Sequence, residues 1–327
     1  MSIYNLIVYN INTTMKNIKS YTALRPHITF FAILIDWAII IMAVYSGHYY
    51  GNIFLSLLAI IVIGSRQHSL STLSHDFVHY SVFKNKVVSE YIGNISTSWP
   101  LFYRTSGFRS QHLMHHRHLN TINDPDLLRR YKLEDWTFPK KPKSLSFLLL
   151  RDLLGLNFHQ NIKKLYILHN KNGVHKKNFK KESLALVLTQ AFFYIGLLIL
   201  IVVSNNILNF LIFWIIPFAT YHKFIKRIRA ISEHFAIPNN NYKEQTRTTI
   251  INPIESFLIC PRNINYHLEH HLYPNVPWYN LKRLSRDEEE DIRGSNLGHY
   301  TKGIFTGLMR EIINVDRADC ISQKVLD

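Results

Sequence analysis

The chain has 327 residues, enough for one large domain or two small ones with a sizeable core, and only 18% of them are charged. Its formal net charge of +16 suits either an anionic membrane surface or a nucleic acid. The basic residues are strung beside long apolar runs and no recognition motif accompanies them, so nucleic acid is set aside and a lipid bilayer is the expected partner.

In chain order, MSIYNLIVYNINTTMKN lacks a leading basic region and its apolar run is broken by Asn, so no signal peptide is expected there. Next come TFFAILIDWAIIIMAVYSG (29–47) and FLSLLAIIVIG (54–64); a second apolar block holds LALVLTQAFFYIGLLILIVVS (184–204) and ILNFLIFWIIPFA (207–219). A bilayer core about 30 Å thick takes about 20 apolar residues to cross as a helix. The first and third runs meet that length, and helical pattern continues past the second and fourth. Two transmembrane hairpins are therefore predicted, at about 29–64 and 184–220, in preference to buried helices of a soluble protein. Asp36 within the first run must face the bundle interior or the interface, because a lone carboxylate in lipid is costly.

Charge orients the hairpins. The links SGHYYGN (46–52) and SNN (204–206) carry no Lys, Arg, Asp or Glu, whereas 65–186 holds 20 Lys/Arg against 8 Asp/Glu. The positive-inside rule then places both termini and the polar regions in the cytoplasm. The predicted architecture is a single all-α domain over 1–327, a multi-pass membrane protein. Its four transmembrane helices leave the polar regions, about 65–183 and 221–327, on the cytosolic side. Cys260 and Cys320 both fall on the inferred cytoplasmic side, so a structural disulfide is not expected; two thiolates are also too few for an iron–sulfur cluster. No repeat, low-complexity linker or second soluble domain is seen, and RDEEED (286–291) reads as a solvated helix face.

The chemistry lies in the histidines. SHDFVH holds His75 and His79; QHLMHHRH holds His112, His115, His116 and His118; NINYHLEHHLYP holds His267, His270 and His271; SEHF adds His234. A helix turns about 100° per residue, so His75 and His79 share a face, and the 112/115/116 and 267/270/271 offsets each gather three imidazoles within about 100° of arc. His118 lies about 120° to the far side of His112 and is demoted. Eight or nine imidazoles are too many for one metal ion and suit two. A merely basic interfacial belt would be served better by Lys and Arg. Imidazole alone does not choose among zinc, copper, iron and nickel. Asp76, Asp124, Asp126 and Glu269 are candidates to accept a ligand's other N–H, or else ordinary caps. His68, seven residues before His75, lies about 10 Å from it along a helix axis and is expected to support the ligands from behind or to be structural. His159, His169, His175 and His222 have no partners at ligand spacing and are expected to be solvated or interfacial.

H-D-x-x-H, then H-x-x-H-H, then H-x-x-H-H followed by L-Y-P-x-V-P-W-Y resembles the membrane-bound fatty acid desaturase superfamily, from about Gly64 to Leu284. The resemblance implies four transmembrane helices carrying a helical cytosolic cap, about 65–183 and 221–327, that holds a non-haem di-iron centre, with His75, His79, His112, His115, His116, His267, His270 and His271 as iron ligands. It also implies His234 as the extra histidine that several members place before the third box. Asn263 or Asn265 is implied, more weakly, to position a metal-bound water. Dioxygen and two electrons would then oxidise an unactivated C–H bond of a lipid chain. Such a hydrogen is too weakly acidic for a side-chain base, so a metal–oxygen species is required. No flavin, haem or iron–sulfur motif is seen, so electrons are expected from a separate donor. The basic surface favours an acidic one, a ferredoxin or a small haem cytochrome with its reductase. His267 stands where desaturases acting near the head-group end often carry Gln, and no fused cytochrome domain is visible; both argue against that subgroup. Hydroxylation or ketone formation on a carotenoid, sterol or alkane is the alternative within the superfamily. A histidine-rich metal transporter is a remote third reading, since its ligands would be expected at bilayer mid-depth, not outside the apolar runs.

Overall fold

The computed structural model describes residues 18–130, 133–158, 182–238, 245–288, 290, 292 and 297–314. Pro26, tolerated at the first helical turn where no backbone N–H is needed, opens α1 (Pro26–Tyr49). Gly51, at φ +57°, reverses the chain, and the side chain of Asn52 caps α2 (Ile53–Val78) by accepting from Phe54 N at 2.8 Å. A short helix at Lys86–Gly93, continued by helical turns through Leu101, leads to α3 (Thr105–His118). Ser183 caps α4 (Leu184–Val203), and a second tight link leads into the helical stretch α5 (Ile207–His234). Within α5 a π-helical turn at Leu211–Ile215 and an irregular Thr220 separate the apolar first part from Tyr221–His234.

Helices α1, α2, α4 and α5 are long and apolar enough to cross a membrane, and the chain is an integral membrane protein. Their outer surfaces show why. In α4 only Leu186 is buried, while Phe192, Leu198, Leu200 and Val203 are exposed, an arrangement that is stable only against lipid. α2 changes character along its length: Phe54, Leu57 and Leu58 face outward, yet every residue from Ile63 to Val78 is buried. Its second half is thus the central post of a polar cap, as the continuing helical pattern beyond residue 64 led us to expect.

Asp36 faces the bundle interior. It is fully buried and accepts from Arg66 at 3.1 Å, Arg262 at 2.8 Å and Ser69 Oγ at 2.6 Å. One carboxylate therefore ties α1, α2 and the segment before the third histidine box together. Gly64 permits the next contact: a Cβ there would meet Tyr221 Cβ at 2.9 Å and His222 N at 3.1 Å, so only glycine lets α2 and α5 cross this closely. The isoleucines Ile225, Ile228 and Ile231 of α5 bury one face among Phe138, Leu145, Ile259, Ile304 and Ile312. α5 also packs along α2 and meets α3 at its last residue, His234, beside His115.

The all-α expectation holds for the bulk of the chain but omits one feature. β1 (Arg247–Ile250) pairs in parallel with β2 (His299–Lys302), with Thr248 opposite Tyr300. Parallel pairing needs a long crossover, here the segment carrying α6 (His267–Leu272) and α7 (Trp278–Asp287). Four-residue strands this far apart leave almost no periodic signal in a sequence.

Candidate metal centre

α2 ends at the centre with His75 in its last turn and His79 at its C-cap; α3 brings His112, His115 and His116 in its final two turns. α5 contributes His234 as its last residue, and α6 contributes His267, His270 and His271. The structure brings all nine together and divides them. His75, His79, His112, His116 and His270 form one group, and His115, His234, His267 and His271 the other, with ligand atoms in each group within 4.8 Å of one another. The i, i+4 pairs 75/79, 112/116 and 267/271 each stay within a group, whereas His115 and His270 cross to the other one. The sequence-based picture of three imidazoles on one face is thereby sharpened: one helix face feeds two adjoining groups. The rings of His116 and His271, one from each group, stack at 4.2 Å.

In the first group the Nε2 atom of His112 lies 2.8 Å from Nε2 of His75 and 2.9 Å from Nε2 of His116, which is itself 3.0 Å from Nε2 of His270. In the second, His234 Nε2 lies 3.0 Å from His115 Nε2 and 2.9 Å from His267 Nε2, and His267 Nε2 is 3.1 Å from His271 Nε2. A neutral imidazole nitrogen carries either one hydrogen or one lone pair, so it does not satisfy two such neighbours by hydrogen bonding. A shared cation does. Metal–imidazole bonds of about 2.0–2.1 Å at right angles separate adjacent nitrogens by about 2.9 Å. Burial, reinforced by neighbouring histidines, holds His112, His116, His267, His270 and His271 well below the ordinary value of 6.5. These imidazoles are neutral at pH 7, with lone pairs to give. The residues present therefore fit two transition-metal ions.

The carboxylates sort differently from expectation. Asp124 does face a histidine: His115 Nδ1 donates to both of its oxygens at 3.0 Å, which turns Nε2 inward. Burial opposes its ionisation, but the His115 hydrogen bond and the Asn120 N–H keep the carboxyl below its usual range. Asp76 instead accepts from Trp278 N at 3.0 Å, fastening the first turn of α7 to the first box. Glu269 accepts from Thr248, Ser285 and Tyr300, so it anchors α6 to β1, α7 and β2 and touches no histidine ring nitrogen in the described contacts. Asp126 pairs with Arg129 and Arg130. The Asn263 amide donates to Trp278 O at 3.0 Å and that of Asn265 to Thr249 O at 2.8 Å, both backbone-fastening roles.

His118 belongs to neither group. His68 is fully buried but lies against His222, ring centroids 6.0 Å apart, and not against the nine. His222, expected to be solvated or interfacial, is buried, because the close α2–α5 crossing at Gly64 encloses it. His159, His169 and His175 lie outside the described residues, as does Cys320; Cys260 is buried and free. Sequence reasoning missed Glu233, whose Oε1 is 3.5 Å from His267 Nδ1. Its place beside His234 in SEHF was the available signal.

The comparisons agree with the geometry. The family described as fatty acid desaturase matches residues 51–303. Dihydrorhizobitoxine desaturase of Bradyrhizobium elkanii is 26% identical over 256 residues, which is 76% of this chain and 72% of that protein. A chloroplastic omega-6 fatty acid desaturase of Arabidopsis thaliana is 28% identical over 246 residues, 70% of this chain. The chain spans about half (51%) of that relative's length. An sn-1 oleoyl-lipid 12-desaturase of Arthrospira platensis is 22% identical over 281 residues, 80% of this chain and 75% of its own. The four apolar helices, the paired histidine groups and the match across most of the chain lead to one conclusion: this protein belongs to the fatty acid desaturase family.

Proposed function

We propose that the chain is a lipid desaturase holding two iron ions, one in each histidine group, with all nine histidines as ligands. The observation that carries this reading is the division of nine imidazoles, eight buried and His79 half-buried, into two adjoining groups, with the second and third boxes each serving both. The reaction takes a CH₂–CH₂ pair, dioxygen, two electrons and two protons to a CH=CH pair and two waters. Bound iron supplies the one-electron oxidising chemistry that no side chain offers.

The chain's own residues do the rest. Asp124 fixes the His115 tautomer, and Glu233 faces Nδ1 of His267. Burial of the rings keeps bulk water from the reacting carbon. Phe108, whose ring lies 5.5 Å from His112 and 6.2 Å from His75, offers an apolar wall beside the first group for a methylene chain. Both termini and the histidine groups face the cytoplasm, by the excess of Lys and Arg around them. The electrons come from a separate acidic protein, a ferredoxin or a small haem cytochrome with its reductase. The substrate is an acyl chain, by analogy with the omega-6 and oleoyl-lipid relatives.

The test is expression in a host with a simple lipid profile, with a donor supplied, and mass spectrometry of the fatty-acid methyl esters. New double bonds are expected. Oxygenated products would move the protein to the hydroxylases. Unchanged lipids with dihydrorhizobitoxine converted would move the substrate to the class for which the Bradyrhizobium relative is named. Purified protein without iron sinks the reading.

A further inference from the structure

We propose that Arg109 and Arg247 are positioning residues for the metal centre. Each locks the end of a helix at the point where that helix delivers a histidine, Arg109 for the first group and Arg247 for the second. The proposal rests on the reading of the nine histidines as ligands.

The need arises from helix geometry. The last carbonyls of a helix have no intrahelical donor, and in a buried site water does not supply one. α2 stops at its half-buried ligand His79, just after the buried Phe77 and Val78, and α5 stops at its buried ligand His234. At the end of α2, Arg109 Nε donates to Val78 O at 2.9 Å and an Nη donates to Phe77 O at 3.0 Å. At the end of α5, Arg247 donates to Ser232 O at 3.2 Å, Phe235 O at 3.0 Å and Ala236 O at 2.7 Å, and adds a second donor at 3.1 Å to Ile231 O, which already accepts from Phe235 N.

A second, independent observation repeats at both ends. The chain turns into the left-handed region immediately afterwards, at Tyr80 (φ +56°) and Ala236 (φ +50°), and neither is a glycine. Such a residue is strained, and it persists only where its surroundings over-determine it. Each arginine touches the strained residue: the Arg109 guanidinium lies 4.1 Å from the centre of the Tyr80 ring, and Arg247 binds the Ala236 carbonyl. Each is in turn held by a glutamate, Glu90 at 2.7 Å and Glu311 at 3.0 Å. Glu311 is steadied by Thr301 at 2.8 Å and His299 at 3.0 Å. Arg109 also sits one turn before His112 on α3, so it joins the first box to the second. A guanidinium fork reaches several carbonyls at once; an ammonium on a flexible stem does not hold the same set.

The experiment loads purified full-length protein in detergent with iron(II) under anaerobic conditions. Iron per chain is measured by plasma emission and the pair is examined by Mössbauer spectroscopy. Arg247→Gln is expected to weaken binding at the His115/His234/His267/His271 group by roughly 10- to 100-fold while the other group stays loaded, leaving isolated iron in place of a coupled pair. Arg109→Gln is expected to do the converse, and Arg→Lys at either position to restore only part of the loss. Equal loss of both irons in step with loss of folded protein would assign the arginines an ordinary structural role and overturn the proposal, as would full retention of both. If Arg247→Gln does not fold, Glu311→Gln keeps the guanidinium and removes its carboxylate. Selective weakening of the second group then supports the proposal, and unchanged loading overturns it. A wild-type protein that binds no iron refutes the ligand reading itself, an outcome distinct from wild type binding two and the variants losing them indiscriminately.

Discussion

Replacing Asp124 with Asn probes the contact between carboxylate and histidine most directly. Asp124 is 1% exposed, and both oxygens accept from His115 Nδ1 at 3.0 Å. Oδ2 also accepts from Asn120 N at 3.0 Å and Oδ1 from Asp126 N at 2.8 Å. An amide keeps one acceptor oxygen, so whichever way it is turned its NH₂ faces one of those two backbone N–H groups. A buried donor left without an acceptor costs about 1–3 kcal/mol of folding stability. The anion behind His115 is lost as well, which should lower metal affinity about 10- to 100-fold, or about 1.4–2.8 kcal/mol. Cobalt(II) titration followed by absorbance, with thermal melts of the metal-free and loaded protein, separates the two effects. Weaker binding confined to one of the two ions is expected, together with a lower Tm without metal. Asp126→Asn is the control, since its pairs with Arg129 and Arg130 are partly exposed and should contribute no more than about 1 kcal/mol. If Asp124→Asn binds both ions as tightly as wild type, the claim that this carboxylate orients His115 is wrong.

Further outcomes are expected. His118→Ala should leave iron content and turnover essentially intact while His115→Ala and His270→Ala abolish turnover; iron loss in the His118 variant would refute the helical-wheel sorting. Asp36→Asn leaves Arg66 and Arg262 without their buried counter-ion and should destabilise the protein by about 3–5 kcal/mol, read by thermal unfolding in detergent. A change below about 1 kcal/mol would show that those arginines find other partners. Metal-free protein should lose stability on acidification: His112, His116, His267, His270 and His271 are held below their unfolded value near 6.5. The fold thus favours their neutral forms, so stability is complete above about pH 6.5 and declines as pH falls from there. A flat profile between about pH 8 and pH 5 would contradict the burial of these rings.

The candidate site was legible because its signal is local. Ligand pairs three and four residues apart write themselves into a few letters, and apolar runs of 20 residues announce membrane helices just as directly. What stayed hidden depends on contacts across the chain. Nothing near Asp36 names Arg262, 226 positions away, as its partner. The parallel pairing of 247–250 with 299–302 and the enclosure of His222 by the crossing at Gly64 are tertiary facts of the same kind. Asp76, Asp124 and Glu269 looked alike as acids beside histidines. Which of them faces an imidazole is decided by the direction of each side chain from its helix, and only Asp124 turns that way. The division of each H-x-x-H-H box between two groups also needs the relative placement of four helices.

Three ligand-bearing helices, α2, α3 and α5, meet the centre by their C-terminal ends. The peptide dipoles of a helix sum to about half a negative charge at that end. Neutral imidazoles would do nothing to compensate the charge of two divalent ions, and Asp124 and Glu233 are the only carboxylates within 4 Å of the nine rings' nitrogens among the described residues. The backbone itself therefore adds to the compensating potential. On the proposed two-metal reading, cations at the centre and order in these last helical turns would stabilise each other, so that metal affinity would be a property of helix integrity as much as of the histidines.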